Sequence, residues 1–110
     1  MIYHITHIKD WKDALSSGSY AADSLASQGF IHCSTRVQVI DTANYLFEGR
    51  YDLVLLEVDE TLVQAEIVYE NLEGGERLFP HIYGALNLDA VVTTLDFPCD
   101  HNGLFHFPEE

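Results

Sequence analysis

The sequence predicts an α+β fold, and three observations carry the prediction. Short segments alternate apolar and polar residues with period two. Leu53-Val54-Leu55-Leu56 is a continuous apolar run too short for a typical helix, and two longer segments repeat apolar residues at helical spacing and stop at glycine. At 110 residues with 47% hydrophobic side chains, the chain has the size of one domain with one core, spanning residues 1–110.

Residues 1–6 alternate, so Ile2, His4 and Thr6 share one strand face and Tyr3 and Ile5 the other. Between His7 and Ser17, Ile8, Trp11 and Leu15 recur at helical spacing, and Gly18 supplies the left-handed stop of a first main helix. A short helical turn over Ala21 to Ser27, closed by Gly29, leads into a strand from Phe30 to Cys33. That strand puts His32 and Ser34 on one face, with Ile31 and Cys33 behind them. Thr35 and Gln38 have the spacing of a capping box for the second main helix; Val37, Ile40, Ala43 and Phe47 form its expected buried stripe and Gly49 its end. Leu53 to Leu56 reads as a central strand covered on both faces. Ala65 to Glu70 alternates, with Glu66, Val68 and Glu70 on one side and Ala65, Ile67 and Tyr69 on the other, up to a Glu73-Gly74-Gly75 turn. Pro80 keeps the segment from Phe79 to Gly84 extended, so His81 is expected on a rigid loop. Ala90 to Phe97 supplies a last strand before an aromatic, turn-rich tail.

Eighteen acidic against five basic residues give a formal charge of −13, a field that repels duplex nucleic acid and anionic lipid surfaces. A small phosphate-bearing ligand is still admissible, because backbone N–H groups at a helix start and one arginine neutralise it locally. The chain has no apolar run long enough to span a membrane and no basic export leader, so a cytoplasmic location is expected. Cys33 and Cys99 are expected as reduced thiols. No metal is expected, since no Cys-x-x-Cys or His-Glu-x-x-His spacing occurs and Cys33 is placed opposite His32.

Two segments share the pattern His-x-Ser/Thr, His4-Ile5-Thr6 and His32-Cys33-Ser34, and on a strand that spacing aims imidazole and hydroxyl into one space. The pairing suits acid–base chemistry or phosphate binding. His81 and Tyr83 repeat the arrangement beside Gly84. A packed, hydrogen-bonded imidazole is the commoner role for any one histidine, so the functional reading requires His4, His32 and His81 to converge on one polar pocket.

Gly29-Phe30-Ile31-His32-Cys33-Ser34 and Phe79-Pro80-His81-Ile82-Tyr83-Gly84, with Tyr3-His4, Trp11 and Tyr20, resemble a bacterial family known as domain of unknown function 952. More distantly, Tyr3-His4-Ile5-Thr6 is similar to the Tyr-His-Gly-Thr/Ser first strand of ADP-ribosyltransferases, with Ile5 in place of glycine. The segment from Gly29 to Thr35, followed by Ala43-Asn44-Tyr45, is similar to their second strand and following helix. The resemblance implies a twisted, split, mainly antiparallel sheet with two main helices, and a nucleotide-binding transferase using NAD or ADP-ribose. It also implies that His4 and Thr6 hold a ribose, that Ser34, Thr35 and Arg36 meet a pyrophosphate, and that Phe30 or Tyr45 stacks on the nicotinamide, with Tyr83 beside the same site. His32, Glu70 and His81 are the catalytic candidates, with Glu70 or His81 in the charge-stabilising role. Two alternatives remain: a phosphoesterase of the two-histidine type, which the paired His-x-Ser/Thr motifs resemble, and a non-catalytic module binding a small anion or a protein.

Overall fold

Strand β1 (Ile2–His7) runs antiparallel to β4 (Leu53–Val58), and β4 runs antiparallel to β8 (Val91–Asp96), so the apolar run predicted as a central strand is the middle of a sheet. The structure, a computed structural model, describes residues 1–108. A second antiparallel sheet has the order β3 (Ile31–His32), β6 (Phe79–Tyr83), β5 (Glu66–Glu70), and a small ribbon pairs β2 (Ser19–Tyr20) with β7 (Leu86–Asn87). Helices α1 (Ile8–Ser17), α2 (Asp23–Gln28) and α3 (Val39–Leu46) complete the elements. The α+β class and the antiparallel sheets stand as expected.

Alternation along β1 and β4 divides the core. Ile2, Val54, Leu56 and Val58 join Ala14 of α1, Tyr20, Ile31 and Ile82 in a cluster on one face of the first sheet. Tyr3, Leu53 and Leu55 join Val39 and Ala43 of α3, with Phe97, Cys99 and Phe105, on the other. The tail after Pro98 is therefore part of the fold, since Phe105 is 1% exposed and stacks on Phe97 at 4.8 Å.

Two expectations are corrected. The second main helix begins a turn later than its capping box suggested: residues 36–38 form a turn, Val37 is 86% exposed, and Val39 takes the core position instead. His81 does not arrive on a loop. Pro80 sits inside β6, where its carbonyl accepts the Cys33 N–H at 3.0 Å. Its missing N–H falls where the β3 pairing ends, so proline is tolerated within this strand.

Candidate functional site

The segment from Ile31 to Ser34 changes partner part-way along. Ile31 and His32 pair with Ile82 and His81 of β6, whereas Ser34 exchanges two backbone hydrogen bonds of 2.8 Å with Tyr3 of β1. The two sheets are thus joined and split at one place, and His4 bridges the split. Its Nδ1–H donates to the carbonyl of His32 at 2.6 Å, and its Nε2 lies 2.7 Å from the Tyr20 hydroxyl. Tyr20 Oη also lies 2.9 Å from Thr6 Oγ1. A carbonyl only accepts, so neutral His4 carries its proton on Nδ1; the single phenolic proton then serves Nε2, and the Thr6 hydroxyl donates to Tyr20. Burial lowers the His4 pKa to about 4, with the His32 carbonyl opposing that shift, and burial raises Tyr20 to about 12. His4 and Thr6 form a buried, internally paired relay, and their polar atoms are spent on it.

The antiparallel register builds a different group on the second sheet. His32 stands opposite His81, His81 opposite Val68, and Glu70 opposite Phe79, which puts both imidazoles and the carboxylate on one face. His81 Nδ1–H donates to Glu70 Oε2 at 2.8 Å, and the Tyr83 hydroxyl donates to the same oxygen. Those two donors, Tyr83 first, hold the Glu70 carboxyl below the usual carboxylate range, and Glu70 in turn raises the Tyr83 phenol. Phe30 stacks on the His81 ring at 4.1 Å between centroids and meets His32 edge-on at 4.8 Å, so the buried His81 ring is clamped in position. His81 Nε2 has no hydrogen-bond partner among the described residues. His32 is exposed, its Nε2–H donates to Gln28 Oε1 at 2.5 Å, and burial followed by the nearby His81 lowers its pKa.

A cavity of about 750 Å³ opens in front of this group. His4, His32 and His81 all contribute to its wall, as do Glu70, Ser34, Phe30 and Tyr45. The three predicted imidazoles therefore share one cavity, although His4 is internally satisfied. Thr6, Thr35, Arg36 and Tyr83 are not part of the wall. Thr35 donates its N–H to Gln38 Oε1 at 3.0 Å, and the Arg36 guanidinium lies 3.3 Å over the Phe107 ring, so neither is placed to meet a pyrophosphate in the cavity. The Ser34 hydroxyl is buried and donates to Thr42 at 3.4 Å.

Sequence reasoning assigned no role to Tyr20 or Gln28. Gln28 stands four residues before His32, at the end of a helix whose boundary was legible, whereas nothing local marks Tyr20 as the partner of His4. No group of His, Cys, Asp and Glu suited to a metal ion occurs among the described residues. Burial pushes the Cys33 thiol well above its ordinary value, which leaves it protonated and unreactive. Among the described residues no helix is long and apolar enough to cross a membrane. What the site offers chemically is an oriented imidazole with one ring nitrogen unpaired among the described residues, a carboxylate behind it, and a second imidazole alongside.

A family model described as a protein of unknown function (DUF952) matches residues 5–94. The match takes in His32, Glu70 and His81, but not His4 or the tail. The crystal structure of protein CC0527 from Caulobacter crescentus superposes with a TM-score of 0.86 at 31% identity, covering 96% of this chain and 92% of that one. The solution structure of the same protein gives 0.82 at 33% identity, over 94% and 89%. No curated protein matches the chain.

Proposed function

Because the chain belongs to the DUF952 family, whose description names no activity, function has to be read from the site, and we propose that the cavity binds a nucleoside-bearing small molecule, with NAD among the candidates. His81 acts there as the general base of a group transfer. One observation carries this reading: Glu70 holds the Nδ1–H of His81, no described residue partners its Nε2, and His81 lines the cavity. An attacking hydroxyl delivers its proton to Nε2 as its oxygen bonds to the electrophilic carbon. The carboxylate then stabilises the imidazolium that forms, and the leaving group departs with the electron pair of the broken bond. Glu70 is in this scheme a positioning residue. Ser34 and Tyr45 remain as contacts for the ligand, and Phe30 orients the base. His4 contributes to the wall with both ring nitrogens already paired, Thr6 is paired behind it, and neither grips a ribose.

Thermal melts with NAD, NADH, ADP-ribose and AMP, followed by chromatography for released nicotinamide, test the proposal. A ligand at about 100 times its dissociation constant stabilises by roughly 2.7 kcal/mol. His81→Gln is expected to lower turnover by roughly 10²–10⁴-fold while keeping the ligand-induced melting shift. Glu70→Gln retains an acceptor for Nδ1–H but lacks the charge, so it moves the pH profile of turnover. Binding without any product after long incubation would make the cavity a recognition site alone, and no shift with any nucleotide or nucleoside at millimolar concentration would refute the reading.

A further inference from the structure

We infer that the cavity selects a ring-bearing organic cation without phosphate, of the pyridinium riboside class, over a pyrophosphate-bearing nucleotide. The inference rests on the nucleoside reading above and narrows it. Its basis is where the charges stand. The chain has five lysine and arginine residues, and none of them lines the cavity. Arg36 is stacked on Phe107, Arg50 pairs with Asp52 at 2.9 Å, Lys9 pairs with Asp13 at 3.2 Å, and the Arg77 guanidinium lies 5.7 Å over the Phe79 ring. The wall instead carries the carboxylates of Glu70 and Glu73.

At the turn before α3, the natural place to receive a phosphate, the Thr35 N–H is taken by the Gln38 side chain. A pyrophosphate would therefore enter a cavity whose wall carries two carboxylates and no lysine or arginine, in a protein of formal charge −13. A planar cation meets the opposite situation. Glu70 and Glu73 attract it, and the aromatic residues Phe30, Phe79 and Tyr45 line the same cavity. Tyr45 is 87% exposed.

Titration calorimetry at low ionic strength on the intact chain decides the matter, using nicotinamide riboside, its uncharged reduced form, nicotinamide mononucleotide and NAD as probes. The cationic riboside is expected to bind on the order of tenfold tighter than NAD, with the mononucleotide between them. Glu73→Gln, a substitution at an exposed loop residue that the base chemistry does not use, narrows that gap by severalfold. Binding of NAD as tightly as the riboside overturns the charge selection while leaving the nucleoside reading in place. Equal binding of the reduced and cationic ribosides does the same. Absence of binding by all of the probes removes both.

Discussion

His4 shows how a polar residue becomes structural. Both of its ring nitrogens are occupied inside the fold, and its charge-free state is enforced by burial, with the His32 carbonyl opposing that shift in part. A pKa lowered from 6.5 to about 4 means that the unfolded chain takes up this proton first as pH falls. The contribution is whole above pH 6.5 and is lost progressively towards pH 4, reaching about 3 kcal/mol. His32 is lowered too and acts in the same direction, so the wild-type slope alone does not isolate His4. Urea melts should show His4→Gln destabilised near neutrality, yet with a flatter dependence on pH between about 6.5 and 5 than the parent. Parallel profiles for the two proteins would contradict a neutral, buried His4. His81 stands in contrast, since one of its nitrogens is committed to Glu70 and the other is left for chemistry.

The segment from α2 to the start of α3 is the element on which the site depends. Gly29, at φ +90°, ends α2 with its N–H on the Leu25 and Ser24 carbonyls, and this turn aims Phe30 and His32 at the cavity. Nothing lies within 4 Å of where a Cβ would stand, so Gly29→Ala meets backbone strain and no steric clash. The expected cost is about 1 kcal/mol, a fall of roughly 5 °C in Tm measured by calorimetry. An unchanged Tm would mean that the turn relaxes to another conformation. Further along, Gln38 donates to the Leu78 carbonyl at 2.8 Å, tying the beginning of α3 to the loop between β5 and β6 that carries Glu73. Helix α3 thereby braces the cavity rim as well as filling the core with Val39 and Ala43.

Across the fold, the two apolar clusters stabilise while the net charge of −13 opposes compactness by self-repulsion. Only some of the acidic groups have cationic partners, among them Asp13 with Lys9 and Asp52 with Arg50. Screening should therefore stabilise the protein. Raising sodium chloride from about 20 mM to about 500 mM, which shortens the Debye length from roughly 20 Å to about 4 Å, is expected to raise the Tm by a few degrees. A fall in Tm over that range would show that local ion pairs outweigh the repulsion. The radius of gyration, 13.3 Å, is the value of a well-packed chain of this length, so the repulsion is borne without swelling.

Much of this was legible along the chain, because period and punctuation act locally. Alternation placed Ile2, His4 and Thr6 on one side of β1 and Glu66, Val68 and Glu70 on one side of β5; the run at Leu53 was correctly a central strand, and Gly18 and Gly29 ended their helices. The start of α3 was misplaced because a capping-box spacing does not say whether its first turn packs, and packing chose Val39 over Val37. Pro80 pointed to a loop because propensity cannot see a neighbouring strand that departs where the missing N–H would have paired. The roles of the histidines were beyond any local pattern. His4, His32 and His81 are equivalent as letters, and it is the antiparallel register, together with Tyr20 on one ring and Glu70 on another, that leaves His4 buried and satisfied and His81 with a free nitrogen. Short-range sterics and hydrophobic period are written into consecutive residues, whereas the partner of a polar atom is set by whichever distant strand the folded chain brings beside it.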